Sequence, residues 1–159
     1  MAATETAGAW RSPGGTPARG PVSTPSGDPL GSVREALSKL NRFQDLAPDV
    51  LVDLAGKAGE GLSGKNSRIS KSQLRKFHGH LVKQLLRARV KGDEAAREIR
   101  LLEYHLIYAV SRKKEMQAFA DLFQIGLRKV RSLADLERFK QFFDATLAYH
   151  AYHGGRLSD

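Results

Sequence analysis

The stretch SKSQLRKFHGHLVKQLLRARVK, residues 70–91, decides the fold class. Its first four residues have the form of a capping box, in which the side chains of Ser70 and Gln73 accept hydrogen bonds from each other's backbone N–H groups at the start of a helix. Apolar residues then recur every three or four positions, the spacing of one helix face. These residues are Leu74, Phe77, Leu81, Leu85 and Ala88. The stretch therefore predicts a long amphipathic helix whose apolar face packs on a core.

Two shorter helices are predicted before residue 70. Ser32 begins a sequence of capping-box form, which predicts a first helix to about Phe43. Pro48 is a favourable first residue for a second helix, and the glycines that begin at Gly59 predict its end in a loop. Residues 1–31 hold five of the six prolines and few large apolar side chains. They predict a disordered tail ahead of a helical domain at residues 32–155.

Helical spacing continues after residue 91. Gly92 breaks the chain, and apolar residues then recur from Ile99 to Val130. The polar residues 111–115 interrupt this run, which predicts a turn or kink, and Ser132 caps a last helix. No stretch shows the period-two alternation of a β-strand. The sequence therefore predicts an all-α fold, a small helical bundle of about five helices with a disordered N-terminal tail.

Positive charge is concentrated in one part of the chain. The formal net charge is +9, and residues 62–92 contain nine Lys and Arg but no Asp or Glu. On the long helix, Lys76, Lys83 and Arg87 fall away from the apolar face, where a row of cations can follow a phosphate backbone. A solvated helix face usually carries both signs of charge, so this pattern favours nucleic acid as the partner. An anionic membrane surface is the alternative.

Other functional classes find less support in the sequence. The absence of cysteine excludes a disulfide scaffold and Cys-ligated zinc, and it fits the reducing cytoplasm. No apolar run approaches the roughly 18 residues of a membrane span. His150 and His153 have helical ligand spacing, but no third ligand is evident, so neither a metal nor a cofactor is predicted. A small helical ribonuclease with His78 or His80 as general base is the main enzymatic alternative, although no acid partner is evident.

Three segments carry a family resemblance in their order and spacing. They are residues 69–77 (ISKSQLRKF), residues 106–112 (LIYAVSR) and residues 139–155 (FKQFFDATLAYHAYHGG). Together they resemble the small subunit of the type III-A CRISPR (Csm) effector complex, over about residues 48–155. The chain departs from the family pattern at Ser111, where the family often has glycine, and in the tail of residues 1–31.

The resemblance implies a non-catalytic, all-helical protein that acts in the cytoplasm without a membrane partner. Family members line the channel that holds guide RNA paired to target RNA, and they touch mainly the backbone of the target strand. The implied protein partners are the backbone and large subunits of the Csm complex and other copies of the chain itself. A generic basic helical RNA-binding protein is the alternative to this family assignment.

The predicted functional residues combine the resemblance with the charge pattern. The family motifs point to Lys71, Arg75, Lys76 and Arg112 as RNA contacts. With the other basic residues, the predicted RNA-binding set is Lys65, Arg68, Lys71, Arg75, Lys76, Lys83, Arg87, Arg112 and Lys113. Because a subunit of this kind must accept any guide sequence, we expect these residues to contact phosphates and sugars and not base edges. No catalytic residue is predicted.

Overall fold

The computed structural model describes residues 28–64 and 69–154, and all regular elements in these two ranges are helices. The α-helices are α1 (Pro29–Ser38), α2 (Pro48–Ser63), α3 (Lys71–Lys91), α4 (Asp93–Arg97), α5 (Leu102–Arg112), α6 (Gln117–Leu127) and α7 (Leu133–Tyr152). Single turns of 3-10 helix lie at Phe43–Asp45, Glu98–Leu101 and Lys114–Met116. The predicted all-α bundle is confirmed. Residues 1–27, most of the predicted tail, lie outside the described ranges.

The capping signals at the start of α3 and α7 act as predicted. The backbone N–H of Gln73 donates to the Ser70 hydroxyl at 3.2 Å, and the Ser70 N–H donates to the Gln73 side chain at 2.7 Å. Ser132 accepts in the same way from the Asp135 N–H. At the end of α3, Gly92 has a φ of +91°, a conformation that favours glycine. Local sequence therefore fixes both ends of α3.

The first two helices differ from the prediction at their ends. Helix α1 begins at Pro29 and not at Ser32, because proline at the first helical position already has the required φ. The Ser32 hydroxyl instead donates to the Pro29 carbonyl oxygen, inside the first turn. Helix α1 ends at Ser38, short of Phe43. Helix α2 runs through Gly59 and Gly61 to Ser63, so these two glycines do not end it, whereas the third predicted glycine, Gly64, is its C-cap.

Gly59 lies inside α2 because it faces α7 at very short range. A Cβ atom at this position would be 2.6 Å from the backbone nitrogen of His150 and 2.6 Å from the Tyr149 Cβ. Backbone atoms cannot swing away as the end of a side chain can. Glycine is therefore a packing requirement of the α2–α7 contact, and the helix tolerates its weak propensity.

This close approach predicts that Gly59→Ala destabilises the protein. The added methyl group forces α2 and α7 apart, at a cost of about 1–3 kcal/mol in the free energy of unfolding. Gly79→Ala is the matched control, because a Cβ at Gly79 in α3 meets no atom within 4 Å. We expect the control to stabilise the protein by about 0.5–1 kcal/mol through helix propensity. Urea unfolding followed by circular dichroism measures both, and equal effects of the two substitutions would contradict the packing explanation.

The core contains a cluster of phenylalanine rings. Phe123 contacts Phe119 and Phe143 at centroid distances of 4.5 and 4.8 Å, and Phe77 of α3 contacts Phe119 at 5.3 Å. The predicted apolar stripe of α3 is buried at all five positions. Its burial orients α3 and leaves the cations of that helix on the outer surface.

A buried carboxylate joins two segments that are distant in sequence. The Asp135 side chain is fully buried, and it accepts hydrogen bonds from the backbone N–H groups of Gln44 and Arg131 at 2.8 and 2.9 Å. The Arg42 guanidinium also donates to it, with Nε 3.1 Å away. Burial alone raises the pKa of Asp135, but these three donors outweigh burial and hold the pKa below its usual 3.8. Asp135 thus fixes the chain before α2 against the start of α7.

Candidate nucleic-acid interface

A groove of about 550 Å³ lies between the first half of α3 and the end of α5. This α3–α5 groove is lined by Ser72, Gln73, Lys76, Phe77, His80, His105, Tyr108, Ala109, Arg112, Lys113 and Met116. Three of these residues are Lys or Arg, four carry aromatic or imidazole rings, and none is acidic. The lining therefore combines attraction for anions with flat surfaces for stacking.

A helix end and a turn bring the cations of the groove together. Lys76 directly precedes the buried Phe77 on α3, so its side chain leaves the helix at the edge of the core. Helix α5 ends at Arg112 because Lys113 has extended backbone, with a φ of −139°. The Lys113 N–H closes the helix by donating to the Ala109 carbonyl oxygen at 2.8 Å. The predicted turn at residues 111–115 is confirmed, and it presents both Arg112 and Lys113 to the groove.

The rings of His80, His105 and Tyr108 form one wall of the groove, the ring wall. The His80 and His105 rings are 5.0 Å apart and 24° from parallel, so α3 and α5 meet through them. Tyr104 stacks on His105 at 4.6 Å. Burial of His80, the neighbouring His105 and the lysines Lys83 and Lys76 all lower the pKa of His80 below its usual 6.5. The lowered pKa favours the uncharged form of the His80 ring beside these cations.

Arg112 is held in place by Tyr108, one helical turn earlier. Its guanidinium lies over the Tyr108 ring, 5.8 Å from the centroid, and one of its nitrogens donates to the tyrosine hydroxyl at 3.2 Å. Both side chains are exposed. This pairing restricts the arginine without neutralising it, so the charge stays available to an anion in the groove.

Gln73 is a buried polar residue at the α3 side of the groove. Its side chain is 9% exposed, and its oxygen is used in the capping box with Ser70. Its amide nitrogen has no hydrogen-bond partner among the residues that the structure describes. A buried donor without a partner is costly, so the fold leaves one polar group of Gln73 unsatisfied.

The structure brings three of the predicted RNA-binding residues into this groove: Lys76, Arg112 and Lys113. Lys83 does not line it, although it is exposed and close enough to lower the pKa of His80. Lys71 and Arg75 lie on the other flank of α3, because successive residues are rotated by about 100° around a helix. Lys65 and Arg68 lie outside the described residues.

Ion pairs compensate part of the charge of α3. Near the C-terminal end, Arg87 pairs with Glu98, and Arg89 pairs with Glu137 at 3.2 Å. Among the described residues, Lys71, Arg75 and Lys76 near the N-terminal end have no such acidic partner. Of the cations on α3, Arg87 and Arg89 are thus compensated, whereas Lys83 and Lys91, like those near the N-terminal end, have no acidic partner among the described residues. Arg87 is the member of the predicted set whose charge is already compensated.

The histidine pair His150 and His153 does not share one face. His150 is fully buried, and its Nε2–H donates to the Ile69 carbonyl oxygen at 2.9 Å, whereas His153 is exposed. Burial lowers the pKa of His150, against the opposing effect of that hydrogen bond. Within residues 28–64 and 69–154, no group of three or more His, Asp or Glu is placed to hold a metal ion. No helix in these ranges is long and apolar enough to cross a membrane.

The sequence did not predict the ring wall of the groove. His105 and Tyr108 come from α5, a helix whose position beside α3 depends on contacts distant in sequence. A local signal did exist, because Tyr104, Tyr108 and Arg112 follow each other at four-residue spacing. That spacing places rings and a cation on one side of a helix.

A family model described as Csm2 Type III-A matches residues 45–156. The match spans α2 to α7 and includes every residue that lines the α3–α5 groove, while α1 precedes it. No curated protein and no solved structure was found to match the chain.

Proposed function

From the premise that the chain belongs to the Csm2 Type III-A family, we propose that it is a non-catalytic subunit that binds RNA through the α3–α5 groove and the free cations beside it. As a family member it is a small subunit of the type III-A CRISPR effector complex, and other Csm subunits are its partners. The proposal adds that it lines the channel for the guide and target RNA duplex, beside the backbone and large subunits and further copies of itself, in the cytoplasm.

One observation carries this proposal. The cations of the groove, Lys76, Arg112 and Lys113, come from two helices and a turn, and no acidic residue accompanies them in the lining. Like charges that converge without compensation repel each other, so they weaken the isolated fold and favour an anionic ligand. The half-buried Lys71 and the exposed Arg75, on the other flank of α3, extend this charge beyond the groove. Such an extended basic surface suits a phosphate backbone better than a single small anion.

Contacts with phosphates explain how the subunit serves any guide sequence. Arg and Lys side chains recognise phosphate oxygens, which are the same at each position of a strand. Arginine adds two parallel donors to one phosphate group. Affinity that depends on charge alone also suits a subunit that meets a new target sequence with every guide.

The groove histidines do not have the arrangement that RNA cleavage needs. General acid–base cleavage places a base and an acid on opposite sides of the reacting phosphate. His80 and His105 instead lie ring against ring, 5.0 Å apart, which leaves no room for a phosphate between them. His78, the other candidate base, is on a different side of α3, where it donates to Asp144 at 2.7 Å. These contacts support a binding role.

Salt dependence of RNA binding tests the proposed function. We expect the full chain to bind single-stranded RNAs of different sequence equally, with a log–log salt slope of about −0.7 for each phosphate contacted. Arg75→Ala removes one such contact and should reduce the slope by about 0.7. Arg87→Ala is the matched control on the same helix, because Glu98 already compensates Arg87. Fluorescence anisotropy measures both variants.

Two results would contradict the proposal in this experiment. One is affinity that differs between sequences at a constant slope, since phosphate contacts carry no sequence information. The other is cleavage of the RNA that persists through purification and disappears in His80→Ala or His78→Ala.

A further inference from the structure

Resting on the proposed function, we infer that the α3–α5 groove holds a single unpaired nucleotide of the RNA, with its base against the ring wall and its phosphate on the cationic rim. A surface that binds only phosphates needs donors and charge, and it needs neither depth nor rings. The groove has both depth and rings, so it offers a ligand more than contacts with phosphates.

The dimensions of the groove fit a nucleotide. Its volume of about 550 Å³ lies within the roughly 300–1,000 Å³ of sites that take small organic ligands. A regular RNA duplex presents phosphates and sugars on its outside and keeps its bases stacked inside. Duplex backbone lying over the rim would therefore leave the interior unfilled, whereas an extruded base fills it.

The lining changes from apolar to charged between floor and rim. Phe77 and Met116 are buried at the floor, with 7% and 3% exposure, and Ala109 lies beside them. Tyr108 is exposed on the wall. Bases stack on such rings irrespective of their identity, because every base has a π face. A stacking site is therefore compatible with a subunit that accepts any sequence.

The charged groups of the groove match the charge of a nucleotide. Lys76, Arg112 and Lys113 supply positive charge to the phosphate. No acidic side chain in the lining opposes the phosphate. A free nucleotide carries the same base and phosphate and would be recognised by the same groups. The experiment therefore distinguishes a free nucleotide from a nucleotide within an RNA strand.

A bulged duplex tests the base site apart from general RNA binding. Three RNAs are compared by fluorescence anisotropy: a blunt duplex, the same duplex with one unpaired nucleotide, and that bulged duplex with the base removed. We expect the full chain to bind the bulged duplex about tenfold more tightly than the other two, because only it offers a base for stacking.

Tyrosine variants connect this gain to the groove. Tyr108→Leu should abolish it, since the wall loses its exposed ring, while Tyr108→Phe should keep it. Tyr152→Leu is the matched control, because Tyr152 is 81% exposed and does not line the groove. Adenosine monophosphate should leave the tighter binding of the bulged duplex unchanged, because a free nucleotide cannot make the phosphate contacts of the rest of the strand. Complete displacement by it would overturn the strand-borne assignment in favour of a free nucleotide.

The results of these experiments distinguish a failure of the proposed base site from a failure of the proposed RNA-binding function. If the chain binds all three RNAs equally, and Tyr108→Leu does the same, the base site is wrong and the RNA-binding function stands. If it binds none of them at low salt, both are wrong.

Discussion

Replacing Asp135 with alanine is expected to lower the free energy of unfolding by about 3 kcal/mol. The fully buried carboxylate accepts from two backbone N–H groups and from the Arg42 guanidinium, so its removal leaves three donors without an acceptor. Urea unfolding followed by circular dichroism measures the loss. Asp144→Ala in the same helix is the matched control, because Asp144 is partly exposed and its bonds to described residues are to two side chains, His78 and Lys140. We expect the control to cost no more than about 1 kcal/mol.

The effect of Asp135 should depend on pH in one direction. Its pKa is lower in the folded protein than the usual 3.8. The ionised carboxylate therefore stabilises the fold fully above that usual value, and this contribution is lost as the pH falls through the folded pKa. The stability difference between wild type and Asp135→Asn should accordingly shrink in strong acid. A difference that stays constant from neutral to strongly acidic pH would contradict a role for the charge.

Reversing the three cations of the groove is expected to reduce RNA affinity by about a hundredfold at physiological salt. In the variant Lys76→Glu, Arg112→Glu, Lys113→Glu, three phosphate contacts are lost and three repulsive charges replace them. The salt slope should fall by about 2, three times the contribution of one contact to a single strand. All three side chains are exposed, so we expect the variant to fold and to keep its circular dichroism spectrum.

A second triple variant controls for net charge. Each reversal changes the charge by two, so three reversals lower the formal value from +9 to +3 wherever they are made. Lys39→Glu, Lys57→Glu, Arg97→Glu gives the same net charge with exposed residues outside the groove. It should weaken binding only slightly. Equal losses in the two triple variants would show that overall charge, and not the groove, attracts RNA.

Local signals explain why the sequence predicted the bundle and much of α3. The capping box at Ser70, the glycine at residue 92 and the polar turn at 111–115 each act within a few residues, and all three have the predicted effect. Burial of the apolar stripe from Leu74 to Ala88 also depends only on helical spacing. Predictions of this kind succeed because they need no knowledge of the partner helix.

Contacts between distant segments account for what the sequence could not give. From the sequence alone Gly59 predicts a helix end, but in the structure α7 lies so close that a Cβ added at Gly59 would be 2.6 Å from its backbone. From the sequence alone Arg87 is predicted to be a free cation, but in the structure it forms an ion pair with Glu98, eleven residues further on. The ring wall likewise requires α5 to lie next to α3, which brings His105 to His80. Each of these features is a relation between two elements, and a periodic pattern within one element contains no information about it.

The uneven charge along α3 has a consequence for the proposed binding of RNA. Within residues 28–64 and 69–154, no acidic side chain pairs with Lys71, Arg75 or Lys76 at the N-terminal end of the helix, and the macrodipole of the helix is positive at that same end. The C-terminal end is partly neutralised by Glu98 and Glu137. A molecule with this asymmetry experiences a torque in the field of a polyanion, which turns its positive end forward before contact. We expect the subunit to reach the RNA already oriented, and to lose this advantage in arrival rate as salt shortens the range of the field.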